Sequence, residues 1–325
     1  MRRALRVGIA LVVLLSIGLA ALAAWNRFPD IDWRLEPGWL LVGVASLSIF
    51  LLCHAELWRR VLAALGPELP RRTAYSIWST STLCRYVPTS LLLPVVRAAM
   101  AEREGVPKRI CFASVVYELA LGFTGALIVS AYFIIDLPDL EGRPERFAVL
   151  AIPLLAIAVL QPEIFHRVAN AALERLGRQQ LPFALGRGRV FEFVGLFSLT
   201  FGLAGLGVYG LAQTVHPIDG GDFVTVIGAY AVSTALSVMA FILPAGLVAR
   251  EASLAVALSP VMPTAPAVAV AVLVRIFQLG LEIALTVITR FLARSEGAPS
   301  TRGCEPLQDL VERGGRETEA GPGLG

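Results

Sequence analysis

Residues 75–104 read YSIWSTSTLCRYVPTSLLLPVVRAAMAERE, and this stretch decides how the chain is built. It is apolar enough to enter a membrane, yet Pro88 and Pro94 interrupt it, and Arg85 and Arg97 lie inside it. Each proline removes a backbone donor and clashes with the preceding turn. Broken backbone at membrane depth survives only where protein or a water-filled cavity covers it. Ionisable side chains there are costly, which makes each a candidate functional residue. The plainer alternative is a proline-kinked helix whose arginines run up to the surface along their aliphatic stems.

The rest of the composition agrees with a membrane setting. The 325 residues are 56% hydrophobic and 16% charged, with a mean hydropathy of +0.70. Those values exclude an ordinary soluble domain and fit a polytopic helical membrane protein. Lysine occurs only at Lys108, so the cations are nearly all arginine, the better fork for phosphate oxygens. Cys53, Cys84, Cys111 and Cys304 form no CxxC pair, and His54, His166 and His216 are scattered. Neither set supports a metal site or a disulfide framework, and no cofactor is expected.

Charge placement sets the topology. An apolar run over 4–24 follows Arg2, Arg3 and Arg6 and reads as an uncleaved first helix with its start in the cytoplasm. Further crossings are expected over 39–58, 111–135, 147–165, 190–215 and 264–292. If 75–97 also crossed once, the arginine-rich loop 166–189 would face outward and the acidic loop 136–146 inward. That contradicts the positive-inside distribution twice. A re-entrant hairpin over about 74–98 restores agreement, and both termini then lie in the cytoplasm.

The second half has a similar feature. Residues 223–258 are long, apolar and broken at Pro244, with Arg250 and Glu251 after the break. The two segments align loosely, pairing Tyr75 with Tyr230, Pro88 with Pro244 and Arg97 with Arg250. The expected fold is therefore an all-α polytopic membrane protein. It has about six spanning helices and two opposed re-entrant helical hairpins in an inverted repeat, where paired broken segments mark a midplane site. The membrane domain is expected over 1–294, followed by a disordered cytoplasmic tail, 295–325, rich in Gly, Pro and charge.

Several charges fall inside apolar helices. Glu118 lies two turns into 111–135, and Arg275 sits near the middle of 264–292 with Glu282 seven residues on, along one helical face. One reading is an internal ion pair of Arg275 with Glu118, Glu251 or Glu282 that holds the bundle together. The other is a cavity lined by Arg85, Arg97, Arg250 and Arg275 for an anionic headgroup, with Glu118 and Glu251 orienting them. Half-helix N-termini after Pro88 and Pro244 would add backbone donors. No P-loop, GxSxG or HExxH occurs, so an enzyme is not expected, and the basic residues form no stripe for nucleic acid.

Tyr86-Val87-Pro88, Arg97, Ser114 and Glu118, then Pro244-Ala245-Gly246-Leu247-Val248-Ala249-Arg250-Glu251 and Arg275, resemble the motif blocks of the lysylphosphatidylglycerol synthase transmembrane family. The resemblance covers most of 1–294 and implies lipid binding and translocation between leaflets. On it, Arg85, Tyr86, Pro88, Arg97, Glu118, Pro244, Arg250, Glu251 and Arg275 are the expected substrate-binding residues. The sequence departs from the family at Thr89, Ser90, Ala245 and Val248, where close backbone approach to a ligand favours glycine. The family's soluble aminoacyl-transferase domain is not expected after residue 294, nor is lipid aminoacylation. The expected activity is a flippase moving an anionic lipid, a phospholipid or a polyprenyl-phosphate-linked glycan, across the cytoplasmic membrane. The alternative is a membrane enzyme, accessory subunit or scaffold in envelope or glycan synthesis, working with separately encoded enzymes.

Overall fold

The computed structural model describes residues 36–86, 92–135, 142–175, 185–240 and 246–296. The expected first helix over 4–24, both motif prolines Pro88 and Pro244, and nearly all of the tail lie outside these residues. Ten α-helices run in order: α1 (Pro37–Ala64), α2 (Arg71–Thr82), α3 (Leu92–Glu102), α4 (Lys108–Ile135), α5 (Ala151–Val159), α6 (Pro162–Arg175), α7 (Arg187–Gln213), α8 (Phe223–Ala240), α9 (Gly246–Ala257) and α10 (Thr264–Glu296). No strand occurs among the described residues. This is an all-α polytopic membrane protein. Among the described residues five helical segments are long and apolar enough to cross a membrane: Pro37–Ala64, Lys108–Ile135, Arg187–Gln213, Gly220–Met239 and Thr264–Ala293.

Local sequence explains where these helices stop. Pro37 sits at the start of α1, where its missing N–H costs nothing. After α3, Gly105 takes φ +82°, and Val106 N–H bonds back to the Ala101 carbonyl at 3.1 Å. That is the glycine-terminated cap that lets a chain turn sharply out of a helix. Val106 is buried as the accompanying apolar contact, and Pro107 launches α4 two residues later.

The central scaffold is α1, α4, α7 and α8. Small residues let these helices approach closely, as expected where lipid supplies no hydrophobic drive between them. A methyl group at Gly210 on α7 would lie 2.7 Å from the Gly43 nitrogen and 2.8 Å from the Trp39 carbonyl oxygen of α1. Leu47, Phe50, Ala204, Val208, Leu211 and Ala229 fill the adjoining core. The lipid-facing surface carries exposed Leu41, Leu199, Val256 and Phe291.

Two expectations meet a different local structure. The crossing expected over 147–165 is not one helix: a 3-10 segment, Pro144–Leu150, leads into the nine-residue α5, and a turn at Leu160 and Gln161 separates α5 from α6. Pro144, Pro153 and Pro162 supply the interruptions. The two broken segments are also unequal. Helix α2 has 12 residues, so it rises only about 18 Å, whereas α8 is long and apolar enough to cross. Helix α8 is continuous over Phe223–Ala240, and Gly228 within it packs against Phe133. At the C-terminus α10 runs to Glu296, two residues into the segment expected to be tail.

Candidate functional site

Helix α10 is the wall that both broken segments share. It packs against α2 on one side and α9 on the other. Arg275, Gln278, Glu282, Thr286 and Thr289 recur along α10 at steps of three and four, which aligns them as one polar stripe. Thr289 Oγ1 meets Ser79 Oγ of α2 at 2.9 Å. Thr286 Oγ1 donates to the Glu282 carbonyl at 2.7 Å, which spares a buried hydroxyl the cost of standing alone.

The stripe leads to a centre assembled from four elements. Arg85, in the 3-10 turn Leu83–Tyr86 that ends the first half of the first broken segment, forms an ion pair with Glu282. Tyr86, one residue on, donates its hydroxyl to the other oxygen of Glu282 at 3.0 Å. The Tyr86 ring lies beneath the Arg275 guanidinium, 4.6 Å from its centroid, and Leu279 packs against the same tyrosine. Arg275 Nε in turn stands 3.2 Å from Glu251 of α9. Arg250, next to Glu251, donates to the Tyr230 hydroxyl of α8 at 2.7 Å.

Hydrogen bonding at this centre is incomplete. Arg85 Nε, Glu251 Oε2 and Gln278 Oε1 are buried and have no hydrogen-bond partner. Gln278 is 3% exposed, so bulk water does not reach it. Polar groups buried in this way are uncommon and normally meet a ligand or an ordered water.

Arg97 occupies a second, closed centre. It pairs with Glu118 of α4, donates from Nε to Ser81 Oγ at 2.8 Å and lies over the Trp58 ring. Glu118 Oε1 also accepts the Trp78 indole N–H at 2.6 Å. Trp58 passes its own N–H to Ser114 Oγ at 3.0 Å. Arg97 is 1% exposed, and the pair ties α3 to α4 across the first broken segment. No buried orphan atom belongs to Arg97 or Glu118.

A separate apolar groove of about 550 Å³ lies between α4, α5 and α8, lined by Phe123, Leu127, Leu155, Leu236 and Met239 among others. Its α4 residues project from the face opposite Glu118, and its α8 residues from the face opposite Tyr230. The groove and the charged centres therefore occupy different sides of the same helices.

Of the nine residues expected from sequence, Arg85, Tyr86, Arg250, Glu251 and Arg275 meet around α10. Arg97 and Glu118 form their own closed centre, and Pro88 and Pro244 lie outside the described residues. The open question of Arg275's partner resolves to Glu251; Glu118 and Glu282 each take a different arginine. Sequence reasoning passed over Gln278, although its position between Arg275 and Glu282 on the polar stripe was a readable signal. It named Tyr230 only as the counterpart of Tyr75, and it passed over Trp58, Trp78 and Ser81, which carry no motif of their own. Among the described residues no cluster of His, Cys, Asp and Glu has a metal-holding arrangement.

The family model described as Lysylphosphatidylglycerol synthase TM region matches residues 5–285. No curated protein matches the chain.

Proposed function

This chain belongs to the lysylphosphatidylglycerol synthase TM region family, and from that premise we propose that it carries an anionic lipid between leaflets. The headgroup sits among Arg85, Arg250 and Arg275 while the tails stay in the bilayer. The observation that carries this reading is the pair of buried, unpartnered atoms Arg85 Nε and Glu251 Oε2 in a centre that holds the Arg85, Arg250 and Arg275 guanidiniums.

An arginine buried in a membrane costs about 2.5–3.5 kcal/mol on insertion scales when left alone. Glu282 and Glu251 lower that cost in the empty site by holding Arg85 and Arg275. Two non-bridging phosphate oxygens accept a guanidinium bidentately, as the two oxygens of a carboxylate do, so a headgroup exchanges one anion for another without leaving a charge bare. Arg250 is held by the neutral Tyr230 hydroxyl, and among the described residues no carboxylate pairs with it. It is the guanidinium most available to a lipid phosphate. Arg97 and Glu118, by contrast, brace the first broken segment and take no part in headgroup contact.

Transport on this reading uses the two broken segments as opposed re-entrant hairpins of an inverted repeat in the cytoplasmic membrane. Their relative movement across α10 alternates access to the centre. The test is reconstitution of the full chain in vesicles with a head-labelled anionic phospholipid and an impermeant quencher. Lipid crossing well above empty vesicles, and lost in Arg250→Gln, is the expected result. Equal crossing with and without the protein overturns the reading.

A further inference from the structure

Away from the charged centre on α10, we propose that the elbow between α1 and α2 is a docking surface for the chain's own acidic segment, residues 305–312. Two observations carry this: a surplus of exposed arginine at the elbow, and a helix register that brings the end of α10 to it.

Residues 59–72 carry Arg59, Arg60, Arg71 and Arg72 against Glu68, and Glu56 lies just before them. Glu56 is shared among three of the arginines. It accepts two hydrogen bonds from Arg59, at 2.8 and 2.9 Å, one from Arg60 at 3.1 Å and one from the Tyr75 hydroxyl at 3.1 Å. Arg71 stands 3.9 Å away, too far for a hydrogen bond. Four cations thus face two acids, and the side chains of Arg60 and Arg71 are 49% and 71% exposed. Each guanidinium carries several donors, so acceptors are in deficit at this corner.

Two contacts fix how α10 meets this corner. Arg85 pairs with Glu282, and Ser79 meets Thr289. Six residues back along the first broken segment match seven onward along α10, so the two run antiparallel. One further step of that size sets Arg71 and Arg72 level with Glu296, the last residue of α10. The chain therefore leaves α10 beside the elbow. Glu305, Asp309 and Glu312 follow, spaced by four and three, with no cation between residues 303 and 312. Arg313 and Arg316 beyond them are matched by Glu317 and Glu319. The nine residues from 296 to 305 reach about 30 Å when extended, enough to turn back over Arg60 and Arg71. Exposed ion pairs are individually weak, but the tether raises the effective concentration of the three carboxylates to the millimolar range. A segment held there bridges α1 to α2, the first half of the first broken segment.

Cys304, next to Glu305, is a native probe of where the segment lies. The experiment takes the full chain in phosphatidylcholine nanodiscs and joins Cys304 to Glu68→Cys, on the elbow, with a short bifunctional maleimide. Gly188→Cys is the control: it lies at the same end of the bundle, since Leu65 and Leu185 share a core cluster, and its added side chain has open space. Wild type gives the background from Cys53, Cys84 and Cys111. Linking within one molecule should be about tenfold faster at the elbow than at the control, and should fall about tenfold in Glu305→Gln/Asp309→Asn/Glu312→Gln. That is the scale of several exposed ion pairs lost together. About 1 M salt, which screens exposed charges, should give the same loss with the acidic segment unaltered. Equal rates at Glu68→Cys and Gly188→Cys overturn the proposal, as does a rate that survives either the triple variant or the salt. Linking only between molecules overturns it in favour of a second copy. A rate lost when equimolar phosphatidylglycerol is added overturns it too, and assigns the elbow to an anionic leaflet.

Discussion

Arg275 of α10 reaches Glu251 of α9, with its Nε 3.2 Å from the carboxylate, while its guanidinium covers the Tyr86 ring at 4.6 Å. One side chain thus touches both broken segments, Tyr86 in the first and Glu251 in the second.

Removing one partner of this pair leaves the other charge uncompensated. Glu251→Gln and Arg275→Gln should each lower stability. The pair is partly solvated, at 13% and 18% side-chain exposure, so the loss falls below the ~3–5 kcal/mol of a fully buried pair. The double variant should cost less than the two single losses added. Thermal unfolding of all four proteins in one detergent checks this, and strict additivity would show that the pair carries no coupling.

Tyr86 contributes both a hydroxyl and a ring. Tyr86→Phe removes the hydrogen bond to Glu282 but keeps the ring under Arg275, at a cost of about 1–3 kcal/mol for the oxygen left short of a donor. Tyr86→Leu also removes the cation–π contact and should lose roughly a further 1–2 kcal/mol. Lipid crossing in vesicles should follow the same order, wild type above Phe above Leu. A leucine variant equal to the phenylalanine variant would assign the whole effect to the hydroxyl.

The membrane architecture and family were legible because hydropathy and arginine placement are one-dimensional signals. So was the centre on α10, since Arg275 and Glu282 are seven residues apart and share a face. Which acid meets which arginine was not legible. Arg275 faces Glu251, Glu118 and Glu282 in sequence terms alike, and only the packing of α4, α9 and α10 assigns each acid its arginine. The closed centre was invisible for another reason: Trp58, Trp78 and Ser81 are ordinary helix residues until packing brings their polar atoms to Arg97 and Glu118. Spacing alone also failed over 147–165, because apolar composition persists through Pro153 and Pro162 while helix continuity does not.

The close approach of α1 and α7 gives a prediction independent of function. A Cβ at Gly210 meets backbone atoms of Gly43 and Trp39 at 2.7 and 2.8 Å, and backbone cannot swing aside. Gly210→Ala should therefore cost about 1–3 kcal/mol, the usual range for overpacking. Gly220→Ala, with open space around the added methyl, serves as control. Equal thermal stability of the two variants would mean that α1 and α7 do not approach as described.

Arg97 and Arg250 should separate folding from lipid handling. Both are arginines in corresponding positions after the two breaks, yet their surroundings differ. Arg97 is 1% exposed and paired with Glu118, and its loss strands a carboxylate that also takes the Trp78 N–H. Arg97→Met should destabilise by about 3–5 kcal/mol and reduce the yield of folded protein, with partial recovery in Arg97→Met/Glu118→Leu, because an apolar pair replaces the ionic one without a stranded charge. Arg250 is only part-buried and bonds a neutral hydroxyl, so Arg250→Gln strands nothing. It should fold to near wild-type yield and thermal stability while losing retained anionic lipid. Size-exclusion profiles, unfolding temperatures and lipid mass spectrometry on the three variants read both effects together. If Arg250→Gln unfolds as Arg97→Met does and keeps its lipid where folded, the two arginines share a bracing role and the division between a closed centre and an open one is wrong.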